Sequence, residues 1–180
     1  MSILRRVVRR GSETGRIDGL RLAVAHVGRQ RSSLRRSTVE TLDNPVLQVL
    51  DDYKAAVLAQ DVDAFVSLYD PDLSVFDMWG VWSYDGIGPW RDMVAGWFGS
   101  LGTDRVIVDF SDTRVVSGQD VCVLHTFMKF KAVDPAGVEL RSMDNRLTVT
   151  LRRAGEAWKI VHQHSSCPVD PKTIAVMFKR

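Results

Sequence analysis

Along the chain the hydrophobic rhythm changes from helical to strand-like and back. Val46, Val49, Leu50, Tyr53 and Val57 recur at the 3.6-residue spacing of a helix with one buried face. Asn44-Pro45 starts it, because Asn caps free backbone N–H groups and proline in the first turn forfeits no helical hydrogen bond. A second, shorter helix follows. Asp61 caps it, Ala64, Phe65, Leu68 and Tyr69 form its apolar side, and Asp70-Pro71-Asp72 ends it. Over residues 73–78 the period falls to two, so that Leu73, Val75 and Asp77 share one face of a strand and Ser74, Phe76 and Met78 the other. After the turn-rich residues 80–88, Pro89 starts a third helix with the aromatic stripe Trp90, Met93, Val94, Trp97 and Phe98, closed by the glycines at 99 and 102. Four long β-branched runs, 105–116, 120–132, 138–152 and 157–166, complete the chain, parted by turn residues.

Helices first and strands last define an α+β domain, with three N-terminal helices packed on a strongly curved antiparallel sheet. A bent sheet covered by only three helices encloses a cone that stays open at one end and can admit a small-molecule ligand. Apolar residues on the outer sheet face call for a second copy of the chain, so a homodimer is expected.

Composition narrows the class. With 45% hydrophobic and 26% charged residues over 180 positions, the chain fits one globular domain. No run approaches the ~18 apolar residues of a membrane span. Two cysteines, Cys122 and Cys167, are too few for a disulfide framework, and cytoplasmic location is the expectation. Charge is divided unevenly: residues 1–44 hold ten Arg against four acids, a net +6, which leaves −4 for the remainder. Residues 1–43 are therefore set apart as a basic extension, open to reading as a disordered arm, a targeting leader or a docking segment, and the domain proper covers 44–180. A mildly acidic body is ill suited to following a phosphate backbone, so no nucleic-acid partner is expected.

Two segments carry a resemblance. The stretch from Tyr53 through Gln60-Asp61-Val62-Asp63-Ala64-Phe65 and Leu68-Tyr69-Asp70-Pro71 to Asp77 resembles the helix–helix–strand opening of the ketosteroid isomerase/NTF2-like proteins. The closing Trp158-Lys-Ile-Val-His-Gln-His-Ser-Ser-Cys-Pro168 resembles the last strand shared by SnoaL-like domains and the association domain of calmodulin-dependent kinase II. The similarity spans residues 45–178 and implies an NTF2-like cone. From the isomerases it implies an oxyanion-holding tyrosine at Tyr53, a proton-shuttling carboxylate at Asp77 and a second, protonated aspartic acid at Asp144, with no cofactor. Asp77 is followed by Met78-Trp79 where the isomerases have proline, so the loop beyond it differs.

The residues themselves leave alternatives open. Proton abstraction beside a carbonyl needs a base and a donor for the developing enolate, which Asp77 and Tyr53 supply; a strand-end carboxylate and a core tyrosine are the competing readings. Trp79, Trp82, Trp90 and Trp97 are expected to surround the acid, with Trp79 and Trp97 against the substrate. Arg146 offers a forked donor for a ligand carboxylate or else pairs with Asp144. His125 and His162 are expected to reach the ligand; together with His164 they also have a spacing that could hold a metal, but no carboxylate motif accompanies them and no metal is expected. The resulting expectation is a SnoaL-like protein that binds a small, largely apolar carbonyl compound and performs an isomerase- or cyclase-type proton transfer. The alternative is a non-catalytic ligand-binding or oligomerisation domain.

Overall fold

The computed structural model describes residues 45–180; the basic extension and the Asn44 cap lie outside the described residues. Helix α1 (Pro45–Ala59) begins at the expected proline and buries Val46, Val49, Leu50, Tyr53, Ala56 and Val57, the stripe legible in the sequence. Helix α2 (Val62–Ser67) is capped as expected, the Asp61 carboxylate accepting from the Ala64 N–H at 2.9 Å. The segment Asp70-Pro71-Asp72 does not stop the chain in a turn. It lies inside strand β1 (Tyr69–Phe76), where a register irregularity between Tyr69 and Ser74 leaves the proline without a ladder bond to lose. A two-residue strand, β2 (Tyr84–Asp85), pairs with Val75 and Ser74 inside the stretch that reads as turns. Helix α3 (Ile87–Ser100) starts two residues ahead of Pro89, behind Gly86, whose φ of 81° favours glycine.

The four long strands follow as β3 (Arg105–Ser117), β4 (Val121–Val133), β5 (Glu139–Ala154) and β6 (Ala157–Ser166). The sheet order is β2-β1-β6-β5-β4-β3. It is mixed and not purely antiparallel, because β1 runs parallel to β6 while every other neighbouring pair is antiparallel. A parallel pair needs a long crossover, and here α3 and four strands intervene between the partners. Register shifts interrupt the β3–β4, β4–β5 and β5–β6 ladders, the bulges by which long strands bend.

Phe65, Val57 and Val94 from the helices meet Leu124, Leu147, Val149 and Leu151 from the inner sheet face in one apolar core. At the sheet's edge Arg152 of β5 reaches across β6 to Asp70 of β1, Nη2 to Oδ2 at 2.6 Å. That guanidinium, with the Asp72 N–H, holds the Asp70 carboxyl below its ordinary pKa.

Candidate active site

The core does not fill the fold to its end. Along β5, Leu151, Val149 and Leu147 are packed, while Asn145, Met143 and Arg141, the next three residues on the same face, border a cavity of about 630 Å³. On β4 their cross-strand partners Met128, Phe130 and Ala132 line it as well, so the wall consists of three rungs: Met128–Asn145, Phe130–Met143 and Ala132–Arg141. Tyr53 comes from α1, Phe65 from α2, and Trp90, Met93 and Trp97 from α3. Trp79 and Phe178 stack at the side, ring centroids 5.5 Å apart and planes within 14°. Volume and aromatic lining both suit a multi-ring or long apolar ligand.

The polar groups gather near Asn145. Asp77 Oδ1 accepts from the Ser165 hydroxyl at 2.6 Å, and the Ser165 Oγ in turn accepts from the Met78 N–H at 3.2 Å. Gln163, two residues before Ser165 on β6, accepts a hydrogen bond from the Tyr69 hydroxyl on Oε1 at 2.7 Å. Tyr53 borders the cavity and makes no hydrogen bond among the described residues. Burial, helped by the Asp77 carboxylate, pushes its hydroxyl pKa well above the ordinary value, so Tyr53 stays a donor. Tyr69 is raised for the same first reason, with Tyr53 and Asp77 adding to it and the neighbouring Trp90 indole opposing. Asn145 is 4% exposed, its Nδ2 faces Met78 Sδ at 3.7 Å, and its Oδ1 is buried without a partner.

Of the residues singled out from the sequence, Tyr53, Asp77, Trp79 and Trp97 all border this cavity. Four others do not. Asp144 and Arg146 stand on the opposite face of β5: Asp144 lies 3.8 Å from Lys129 Nζ and accepts from the Arg180 N–H, and Arg146 is exposed opposite Phe127. His125 is exposed between Arg114 and Thr148, and His162 hydrogen-bonds through Nδ1 to the Ser74 carbonyl with its ring edge-on to Phe76. Alternation is the reason: Leu147, Val149 and Leu151 face inward, so Asp144 and Arg146, of the opposite parity, face out, and the inward neighbour of Asp144 is Asn145. Trp82 also departs from expectation, being 95% exposed and no part of the acid's surroundings. Applying the same parity rule to β5 would have found Asn145 and Arg141. Nothing local to Ser165 or Phe178 marks them, since each reaches the cavity through a long-range contact.

Among the described residues no group of three or more His, Cys, Asp or Glu side chains could hold a metal ion. No described helix is long and apolar enough to cross a membrane. Both cysteines are free, Cys122 in the core and Cys167 partly buried.

No curated protein matches the sequence. Among solved structures, an NTF2-like protein of unknown function from Pseudomonas putida KT2440 is 22% identical, with a TM-score of 0.65 over 74% of this chain and 91% of that one. An NTF2-like protein with a cystatin-like fold from Novosphingobium aromaticivorans is 15% identical, TM-score 0.60, covering 72% and 82%. Aln2 from a Streptomyces species is 12% identical, TM-score 0.61, covering 68% and 87%. These likenesses establish the fold. The family model of the SnoaL-like domain matches residues 46–170, which takes in nearly all of α1, all six strands and every predicted residue that borders the cavity. With its cone of helices and mixed sheet sharing the fold of the NTF2-like structures, and with that match over most of its length, the chain belongs to the SnoaL-like domain family.

Proposed function

We propose that the domain binds a small, largely apolar carbonyl compound in its cavity and moves a proton on it without a cofactor, in the manner of an isomerase or cyclase. One observation carries this reading: Asp77 and Tyr53, an acceptor and a donor from different elements, border the same apolar cavity, with the Asp77 carboxylate near enough to raise the Tyr53 hydroxyl. In the proposed step Asp77 takes a proton from the carbon beside the substrate carbonyl, and the electron pair moves onto the carbonyl oxygen. Tyr53 donates a hydrogen bond to that developing oxyanion, and the proton is returned at a different carbon. An apolar, water-poor surround strengthens such a bond. Ser165 fixes one oxygen of the base.

Asp144 has no part in this scheme because it lies outside the cavity, and the Tyr53 hydroxyl is left as the principal oxyanion donor. The assembly proposed is a homodimer formed by the outer sheet face, where Phe76 and Val116 are exposed. Analytical ultracentrifugation at micromolar concentration tests it, a monomer being the contrary result. The test of function is a panel of cyclic ketones and polyketide-like aromatic ketones assayed for solvent-deuterium incorporation beside the carbonyl. Exchange that requires Asp77 supports proton transfer. Binding of the same compounds without exchange in the wild type assigns the cavity to ligand binding alone.

A further inference from the structure

The cavity wall carries a charged group for which the proton-transfer scheme has no use. Arg141 is the outermost residue of the inward-facing series on β5, two rungs beyond Asn145. Arg91, Arg152 and Arg180 each face a carboxylate, Asp63, Asp70 and Asp112 respectively. Arg141 has neither an ion pair nor a hydrogen bond among the described residues. Between it and Asn145 the rung Phe130–Met143 is apolar, and Trp97 stands edge-on to Phe130 at 5.8 Å. Four residues of strand separate the two ends, roughly 13 Å at ~3.3 Å per residue.

The two ends differ in what they accept. At the inner end Asp77 already supplies a negative charge, and the buried Asn145 Oδ1 has no hydrogen-bond donor. A neutral oxygen function such as a hydroxyl suits this end, whereas an anion would be repelled by Asp77. At the outer end a forked, unpaired guanidinium suits a carboxylate in bidentate geometry.

We infer that the cavity takes an amphipathic organic acid, lying with its apolar body across the Phe130–Met143 rung, its neutral oxygen function at Asn145 and Asp77, and its carboxylate on Arg141. This rests on the proposal that the cavity is the ligand site, and it adds to that proposal both the ligand's charge and its orientation.

Calorimetric titration of the full chain with 4-(1-pyrenyl)butyrate and with the matching alcohol, 4-(1-pyrenyl)butanol, at neutral pH and low salt tests it. The acid is expected to bind at least tenfold more tightly than the alcohol. Arg141→Gln should reduce the acid to the alcohol's affinity and leave the alcohol unchanged, while Arg146→Gln, on the opposite face of the same strand, should keep the preference. Equal affinities in the wild type, or a preference that survives Arg141→Gln, overturn the Arg141 assignment and leave the cavity as a ligand site. Failure of both probes to bind overturns both.

Discussion

Ser165 and Asp77 are joined by a 2.6 Å hydrogen bond although 88 residues separate them. The serine belongs to β6 and the aspartate directly follows β1, so the parallel pairing of these two strands brings them together. That pairing is also the feature of the sheet that alternation along the chain does not reveal. The aspartate has one oxygen fixed, and its second oxygen has no protein partner among the described residues.

Replacing Asp77 by Asn should lower the rate of exchange or isomerisation of a cavity-bound ketone by about 10²–10⁴, the usual contribution of a general base. Ligand affinity and melting temperature should change little, because the side chain is only partly buried and keeps its shape. Ser165→Ala removes the hydrogen bond that orients the carboxylate and should cut kcat by about tenfold with KM nearly constant. Undiminished exchange in the Asp77→Asn protein would remove this residue from the chemistry.

Much of this architecture can be read in advance. The stripe of α1, the Asp61 cap and the four long strands follow from apolar periodicity and turn residues, because each is fixed by neighbours three or four positions away. Which face of β5 looks inward is equally local: Leu147, Val149 and Leu151 settle it, and they exclude Asp144 and Arg146 from the cavity. What is not local is Ser165 on Asp77, or Phe178 on Trp79, contacts set by strand order and by the path of the chain after β6. Asp70-Pro71-Asp72 misleads for a related reason, since the pairings on either side of it, Tyr69 with Ile160 and Ser74 with His162, hold it within a strand.

Alkali should expose the two inner tyrosines. Burial raises the hydroxyl pKa of both Tyr53 and Tyr69 in the folded chain above the unfolded value of about 10. The stability this contributes is complete below that pH and is lost as pH rises from there toward the folded values. Chemical denaturation followed by tryptophan fluorescence should therefore show stability falling above about pH 10, less steeply in Tyr53→Phe. In the folded wild type, tyrosinate absorbance should lag by two residues until the protein unfolds. Ionisation of all tyrosines before unfolding would mean that water reaches the cavity base.

Acid acts on the opposite edge. Arg152 and the Asp72 N–H lower the Asp70 pKa, so their contribution is present above the unfolded value of about 4 and is lost as pH falls through the folded one. Arg152 is half exposed, which weakens the pair, and Asp70→Asn should cost about 1–2 kcal/mol at neutral pH. The variant should also show a flatter decline of stability below about pH 4, measured by urea titration. An unchanged acid limb would show that other carboxylates govern it.

The last prediction concerns how ligand reaches the cavity. After β6 the chain forms a compact loop, bridged between Val169 and Val176 and pinned where Asp170 accepts from the Lys172 and Thr173 N–H groups. It then returns to β5, where the Asp144 N–H donates to the Phe178 carbonyl at 2.8 Å and Phe178 lies flat on Trp79. Arg180 secures the end, its guanidinium 2.7 Å from Asp112 and 3.8 Å above the centre of the Phe127 ring. The aromatic pair borders the cavity, and the groups that hold it in place are polar and exposed. Exposed ion pairs of this kind contribute about 1 kcal/mol or less, so the returning segment is the part of the wall that opens at least cost. Arg180→Ala should speed association of a pyrene probe severalfold in stopped-flow fluorescence while leaving the melting temperature within a degree or two. Phe178→Ala should speed dissociation more than association, because it removes a ring the ligand touches. Identical rate constants in wild type and both variants would place the route to the cavity elsewhere on the rim.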